Sequence, residues 1–353
     1  VKSTWVRVVL SAASLALTVV LLLFLPRFVD TTWSAIGAQF GRLGPVDIVL
    51  LVVFWLASLL AYTFVMTAGL PGLTHAQALT LNGAGSAVSN VLPFGGGVGV
   101  ALTFTMARGW GHPMRSIVAY TLVTGVWNTL FRFILPAVGI VCLVAAGQTP
   151  NGTVTSAAVA GAVSILVLVA VVASALFWPG AARLLGRVLD RLARLLPRRI
   201  RPGEHAASEA LDRLRQNTAD IIRTRWLQLS LGMTAFLGFQ ALLLVVCLHA
   251  TGSYPGIAQT VAAFALSRVL TTALVTPSGA GIMEAGTAGF LVSMGVAQDS
   301  AVFAALIFGF FTYTIEIPFG ALCLGAWAFL RRRNPQPPAQ DDETPHAHPA
   351  SRP

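Results

Sequence analysis

The chain reads as an all-α integral membrane protein with about six transmembrane helices plus two Gly/Pro-broken helical hairpins in two inverted repeats. Three observations predict this. Of the 353 residues 56% are hydrophobic and only 10% charged, with a mean hydropathy of +0.76, outside the range of a soluble globular domain. The segment Pro93-Phe94-Gly95-Gly96-Gly97 interrupts one apolar stretch, and Pro277-Ser278-Gly279-Ala280-Gly281 interrupts another, 184 positions later. Finally, the arginines fall beside the spans in an order that points the two interrupted stretches in opposite directions across the bilayer.

Apolar runs long enough to cross about 30 Å of hydrocarbon occupy 6–26, 46–70, 114–147, 152–178 and 226–250, and a sixth covers 300–330. The first is expected to be retained, because Pro26-Arg27-Phe28 is no small-residue cleavage site. Lys2 and Arg7 place the N-terminus on the cytoplasmic side, although Arg27 and Arg42 oppose the outside placement of the following segment. The arms 76–91 and 97–110 bracket the first break and end beside Arg108, His112 and Arg115, so both ends are inside. Span 114–147 goes out and 152–178 returns. The arms 257–274 and 282–295 bracket the second break and begin and end outside, and Arg331-Arg332-Arg333 brings the last span back inside.

Between these halves, residues 179–225 form a basic cytoplasmic segment. From Arg183 to Arg225 there are eleven arginines against five acids, and Arg183, Arg187, Arg191 and Arg194 repeat at helical spacing. That pattern predicts an amphipathic helix on the inner leaflet, flanked by Trp178 and Trp226 as interface anchors. The organisation expected is therefore one polytopic domain over 1–330, repeats at about 46–147 and 226–330, and a disordered cytoplasmic tail over 331–353.

Shifting the chain by 184 superimposes Pro93 on Pro277, Gly95 on Gly279 and Gly97 on Gly281, and repeats the order span, broken hairpin, long span. Broken helices free backbone groups that lipid cannot satisfy, so they persist where protein or a watery cavity surrounds them. Paired breaks in inverted halves are how many transporters build a midplane site. Pro93, Gly95, Gly97, Pro277, Gly279 and Gly281 are thus candidate substrate-binding positions.

Ionisable groups inside spans are costly and point to function. Four stand out. Under the 184 offset Arg132 falls on Glu316, which suggests either an ion pair fixing helix packing or a gating role. Glu284 follows the second break and could hold a cationic head group or a proton, or cap a half-helix. Arg268 precedes that break; its planar donors suit a phosphate head group, or it partners Glu284. Asn90 could donate to a head group or cap the broken helix. Cys142, Cys247 and Cys323 lack ligand-like spacing, so neither metal nor disulfide is expected. The net charge of +10 lies in loops beside spans, which argues against nucleic acid. No Gly-x-Ser-x-Gly elbow, His-Glu-x-x-His or P-loop occurs, so no catalytic residue, cofactor or ATP-driven motor is expected.

Asn90-Val91-Leu92-Pro93-Phe94-Gly95-Gly96-Gly97-Val98-Gly99, then Arg108-Gly109-Trp110-Gly111, and later Thr276 to Ala285 with Gly295-Val296 carry a resemblance. Over about residues 6–330 the chain resembles the flippase-like transmembrane family, also called the lysylphosphatidylglycerol synthase transmembrane region. The resemblance implies a multi-pass bacterial plasma-membrane protein that moves a modified phospholipid or lipid-linked molecule between leaflets, with Glu284 the position to carry over. Aminoacyl transfer in such synthases belongs to a separate soluble domain, so a transporter without lysyltransferase activity is expected. Membrane lipids, anionic or lipid-linked, are the expected partners. An ion-coupled carrier of a small solute, a non-transporting partner of a lipid-modifying enzyme, and a homo-oligomer stay open.

Overall fold

The computed structural model describes residues 32–92, 95–148, 152–193, 206–271, 276 and 279–333, with isolated positions 20, 23, 24 and 27. The expected first span, the candidates Pro93 and Pro277, and residues 334–353 of the expected tail lie outside the described residues.

All regular elements among the described residues are helical. A short α1 (Trp33–Ala38) continues into a 3₁₀ turn (Gln39–Arg42). Then come α2 (Pro45–Gly69), α3 (His75–Val91), α4 (Gly95–Gly109), α5 (Met114–Ala145), α6 (Gly152–Phe177), α7 (Pro179–Ala193) and α8 (Ala206–Ala250). The chain closes with α9 (Ile257–Leu270), α10 (Ile282–Ser293), α11 (Gln298–Gly309), a π turn (Phe310–Thr314) and α12 (Glu316–Arg333). Five helical stretches are long and apolar enough to cross a membrane: α2, α5, Val159–Phe177 of α6, Thr218–Ala250 of α8, and Gln298–Arg331. The protein is an all-α membrane protein.

The hairpin arms are shorter. At about 1.5 Å per residue, the 14 residues of α9 and 12 of α10 rise about 21 and 18 Å, short of the ~30 Å hydrocarbon layer. Over the described residues neither arm alone is long enough to cross that layer. The turn between them depends on Gly279 and Gly281, at φ +75° and +83°, where an L side chain is strained. A Cβ on Gly279 would also lie 2.8 Å from the Leu270 carbonyl oxygen.

Adding 184 to the bounds of α2, α3, α4 and α5 gives 229–253, 259–275, 279–293 and 298–329, which fall on the end of α8, on α9, on α10 and on α11 to α12. The packing repeats too. α2 lies against α8 with Val65 beside Gly232, Tyr62 on Phe236 at 4.9 Å and Phe54 on Phe239 at 6.3 Å. As numbers fall along α2 they rise along α8, so these corresponding helices are antiparallel. Corresponding helices of the two halves therefore run in opposite directions, the relation that inverted repeats require. The hairpins are exchanged: Gly83 of α3 packs on Phe319 and Cys323 of α12, and Gly139 of α5 packs on Ala262 and Ala265 of α9.

Two departures from the sequence reading have physical causes. The run 300–330 is one candidate span, as expected, but carries a π turn after Gly309, where a Cβ would collide with the Glu284 carboxylate and lie 2.8 Å from the Tyr313 hydroxyl. Arg331, Arg332 and Arg333 continue α12 rather than starting the tail; Arg331 stacks over Trp327 one turn earlier at 5.3 Å, and cations suit a helix C-terminus.

The basic segment is described over Pro179–Ala193 and from Ala206 onward. α7 buries Ala182, Gly186 and Asp190, one per turn, and packs on α8 and α6, while Arg183, Arg187, Leu184 and Val188 face outward. Trp178 and Trp226 are both exposed. Arg42 donates from Nη1 to the Thr251 carbonyl at 3.0 Å, beyond the end of α8. At the turn between α4 and α5, partial burial holds the His112 imidazole below the usual histidine range.

Candidate functional site

Where the exchanged hairpins meet the long helices, the structure forms a half-open polar cavity of about 180 Å³. α3 contributes Asn82, Ser86 and Asn90, one per turn along a single face; α5 contributes Arg132; α8 contributes Phe236 and Gln240. Arg268 and Thr271 enter from α9, Thr312 and Tyr313 from the π turn, and Glu316 from the first turn of α12. Three of the four ionisable residues singled out in the sequence are thereby brought together.

The two sides of the cavity are symmetry mates with opposite chemistry. The α3–α12 pair supplies the acid: Glu316 is hydrogen-bonded by the Ser86 and Asn90 side chains. Its image, the α5–α9 pair, supplies both arginines. Arg132 lies close enough for its charge to act on Tyr62 of α2. Arg132 and Glu316, equivalent under the 184 offset, line the same cavity, but among the described residues no ion pair joins them. The expected pair is thus not closed in this conformation, where Ser86 and Asn90 hold the carboxylate.

Arg268 is buried, 9% exposed. Its Nη1 donates to the Gln240 Oε1 at 2.9 Å, and its guanidinium sits 5.7 and 5.6 Å from the Phe264 and Phe308 ring centroids, a cation–π arrangement. Nε and Nη2 have no hydrogen-bond partner. The charges acting on it are Arg132 and Glu316 rather than Glu284, so the alternative of a Glu284 partner is not what the structure forms.

Asn90 reaches across to a neighbouring helix. It donates to the Tyr313 carbonyl of the π turn at 3.1 Å and also reaches Glu316. It ties α3 to α12. Glu284 sits at the third position of α10, 2% exposed, accepting from the Gly281 N–H at 2.6 Å. Its other oxygen lies against Gly309. It therefore caps α10 with its second oxygen against the end of α11, and is not among the residues lining the cavity. Gly279 and Gly281 shape the turn below it. In the first break, Gly95 opens α4 and Gly97 has open space around it. The tight contact there belongs to Gly99, whose Cβ would lie 2.7 Å from Ser89 Oγ.

Sequence reasoning missed Asn82, Ser86, Gln240 and Thr312. A signal existed for the first two: with Asn90 they recur every fourth residue on an apolar helix. Gln240 is a lone amide in a long apolar run and carries no such pattern.

Two apolar grooves flank the cavity on α8. One, of about 320 Å³, lies between α5, α8 and α9 and is lined by Phe131, Leu135, Val138, Gly238 and Phe264. The other, of about 610 Å³, lies along the α2–α8 seam with Leu60, Phe64, Leu227 and Leu231, all of which are exposed. Among the described residues no cluster of three His, Cys, Asp or Glu could hold a metal.

Comparison with curated proteins finds no match. The family model described as the lysylphosphatidylglycerol synthase TM region matches residues 11–320. With nearly the whole helical part covered, the chain belongs to the lysylphosphatidylglycerol synthase transmembrane-region family.

Proposed function

We infer that this chain is a transporter, not an enzyme, which moves a phospholipid or lipid-linked molecule between leaflets of the bacterial plasma membrane, its termini cytoplasmic. The observation that carries the reading is the polar cavity built across the boundary of two inverted halves and bordered by lipid-facing apolar grooves. A polar head group needs hydrogen-bonding partners at membrane depth, and its acyl chains need none. The cavity offers the first and the grooves offer a path for the second. Exchanged hairpins make rocking of one half against the other the natural way to open the cavity alternately. Grooves open to lipid favour this reading over a carrier of small solutes, whose site would be enclosed.

The test is reconstitution of the full chain in liposomes carrying a fluorescent phospholipid, with outer-leaflet dye destroyed by a membrane-impermeant reductant. Protein should raise the reducible fraction beyond the outer-leaflet share, and Arg132→Gln or Glu316→Gln should slow the exchange. Rates equal to those of empty liposomes would sink the reading.

A further inference from the structure

We propose that the cavity is a selective site for a small phosphodiester head group, held by Arg268 with Gln240 as its positioning residue, and that lipids bearing a net negative charge are preferred. This rests on the transport reading above for its biological direction, though the binding itself can be measured apart from it.

The charge count comes first. Arg132 and Arg268 face a single acid, Glu316. With Glu316 ionised the cavity carries one excess positive charge, and with it protonated two. An uncompensated cation among apolar helices is costly, and an incoming anion relieves that cost.

The donor and acceptor inventory points the same way. Glu316 already accepts from the Ser86 and Asn90 side chains, so part of its acceptor capacity is taken up within the protein. Arg268 keeps Nε and Nη2 buried and without partners, although a guanidinium offers five donors in a planar fork suited to two phosphate oxygens. Gln240 fixes one edge of that plane through Nη1. The Phe264 and Phe308 rings hold the cation. Nε and Nη2 are thus unmet buried donors beside the cavity, and an anion that drew the guanidinium toward it would satisfy them.

Size sets the class. About 180 Å³ holds on the order of six water molecules. That accommodates a phosphate with a small polyol. The apolar groove carrying Phe264, one turn from Arg268 on α9, is placed for the attached chains.

In the test, full-length protein is delipidated in detergent and titrated with short-chain phosphatidylglycerol, phosphatidylethanolamine, lysylphosphatidylglycerol and inorganic phosphate. Bound molecules are counted by native mass spectrometry. Phosphatidylglycerol should bind most tightly. Gln240→Glu, which supplies Arg268 with an internal counter-charge and keeps the side chain's shape, should weaken it by roughly tenfold or more without lowering thermal stability, and Arg268→Gln should do the same if it folds. Equal binding of the three lipids, preference for the lysyl lipid, or no effect of Gln240→Glu would overturn the assignment. Inorganic phosphate binding as tightly as the lipid would overturn a lipid as the source of the anion. Anionic binding intact in protein that moves no lipid would overturn transport and leave this site standing. Movement of all lipids at one rate, with equal binding, would leave transport standing and remove the site.

Discussion

Gly320 of α12 faces Gly83 of α3 so closely that a Cβ on Gly320 would collide with the Gly83 carbonyl oxygen and lie 2.6 Å from the Ala87 methyl. Close approach of this kind is how helices associate inside lipid, where no hydrophobic drive separates them from the tails. Gly320→Ala should force the exchanged hairpin off its partner, with a loss of about 1–3 kcal/mol seen as a lower unfolding midpoint in detergent. Gly325→Ala, on the same helix with nothing near its Cβ, should leave the midpoint unchanged.

Asn90→Leu removes the donor to the Tyr313 carbonyl and one of the two side-chain partners of Glu316. Leaving a buried acceptor unmet costs about 1–3 kcal/mol. The variant should be less stable and slower in liposome exchange, whereas Asn82→Leu should affect exchange with less effect on stability. A variant as stable as wild type would show that the amide does not hold the π turn.

Filling the groove beside the arginines should obstruct acyl chains without touching the polar cavity. Gly238 has open space around its Cβ position and lines that groove. Gly238→Phe is expected to fold normally and to slow lipid movement, while leaving the binding of inorganic anions unchanged. Normal exchange rates in this variant would exclude the groove as a path.

The exchange of hairpins can be locked covalently. An ideal Cβ on Gly139 lies 3.6 Å from the Ala262 Cβ, within the spacing of disulfides. In a protein with Cys142, Cys247 and Cys323 replaced by alanine, Gly139→Cys with Ala262→Cys should cross-link under mild oxidant. If transport needs α5 to move past α9, the oxidised form should be inactive and reduction should restore it. Full activity in the cross-linked form would place the moving boundary elsewhere.

Glu284 marks where linear reasoning ends. Its place three residues after Gly281 made it a candidate for substrate charge, and the same spacing makes it a cap: the carboxylate accepts from Gly281 and fills the gap beside Gly309. Glu284→Ala should therefore destabilise the second hairpin by about 1 kcal/mol or more, and Glu284→Gln, which keeps an acceptor, by less. Thermal unfolding of the two variants separates these outcomes.

By itself the sequence determined the class of the protein. Hydropathy and length are properties of contiguous residues, so five of the six spans could be read directly, and glycine breaks repeat visibly at an offset of 184. Charge order was enough to suggest inversion. Tertiary structure alone decided the partners. Arg132 and Glu316 look like a pair because their positions correspond, yet symmetry-equivalent positions need not touch. The exchange of hairpins brings Asn90 and Ser86 to the acid first and turns Arg268 toward Gln240. Such contacts lie between residues 28 to 230 positions apart, and depend on small residues such as Gly83, Gly139 and Gly320 allowing helices to meet. That close fit belongs to helix surfaces in three dimensions, which no linear pattern specifies.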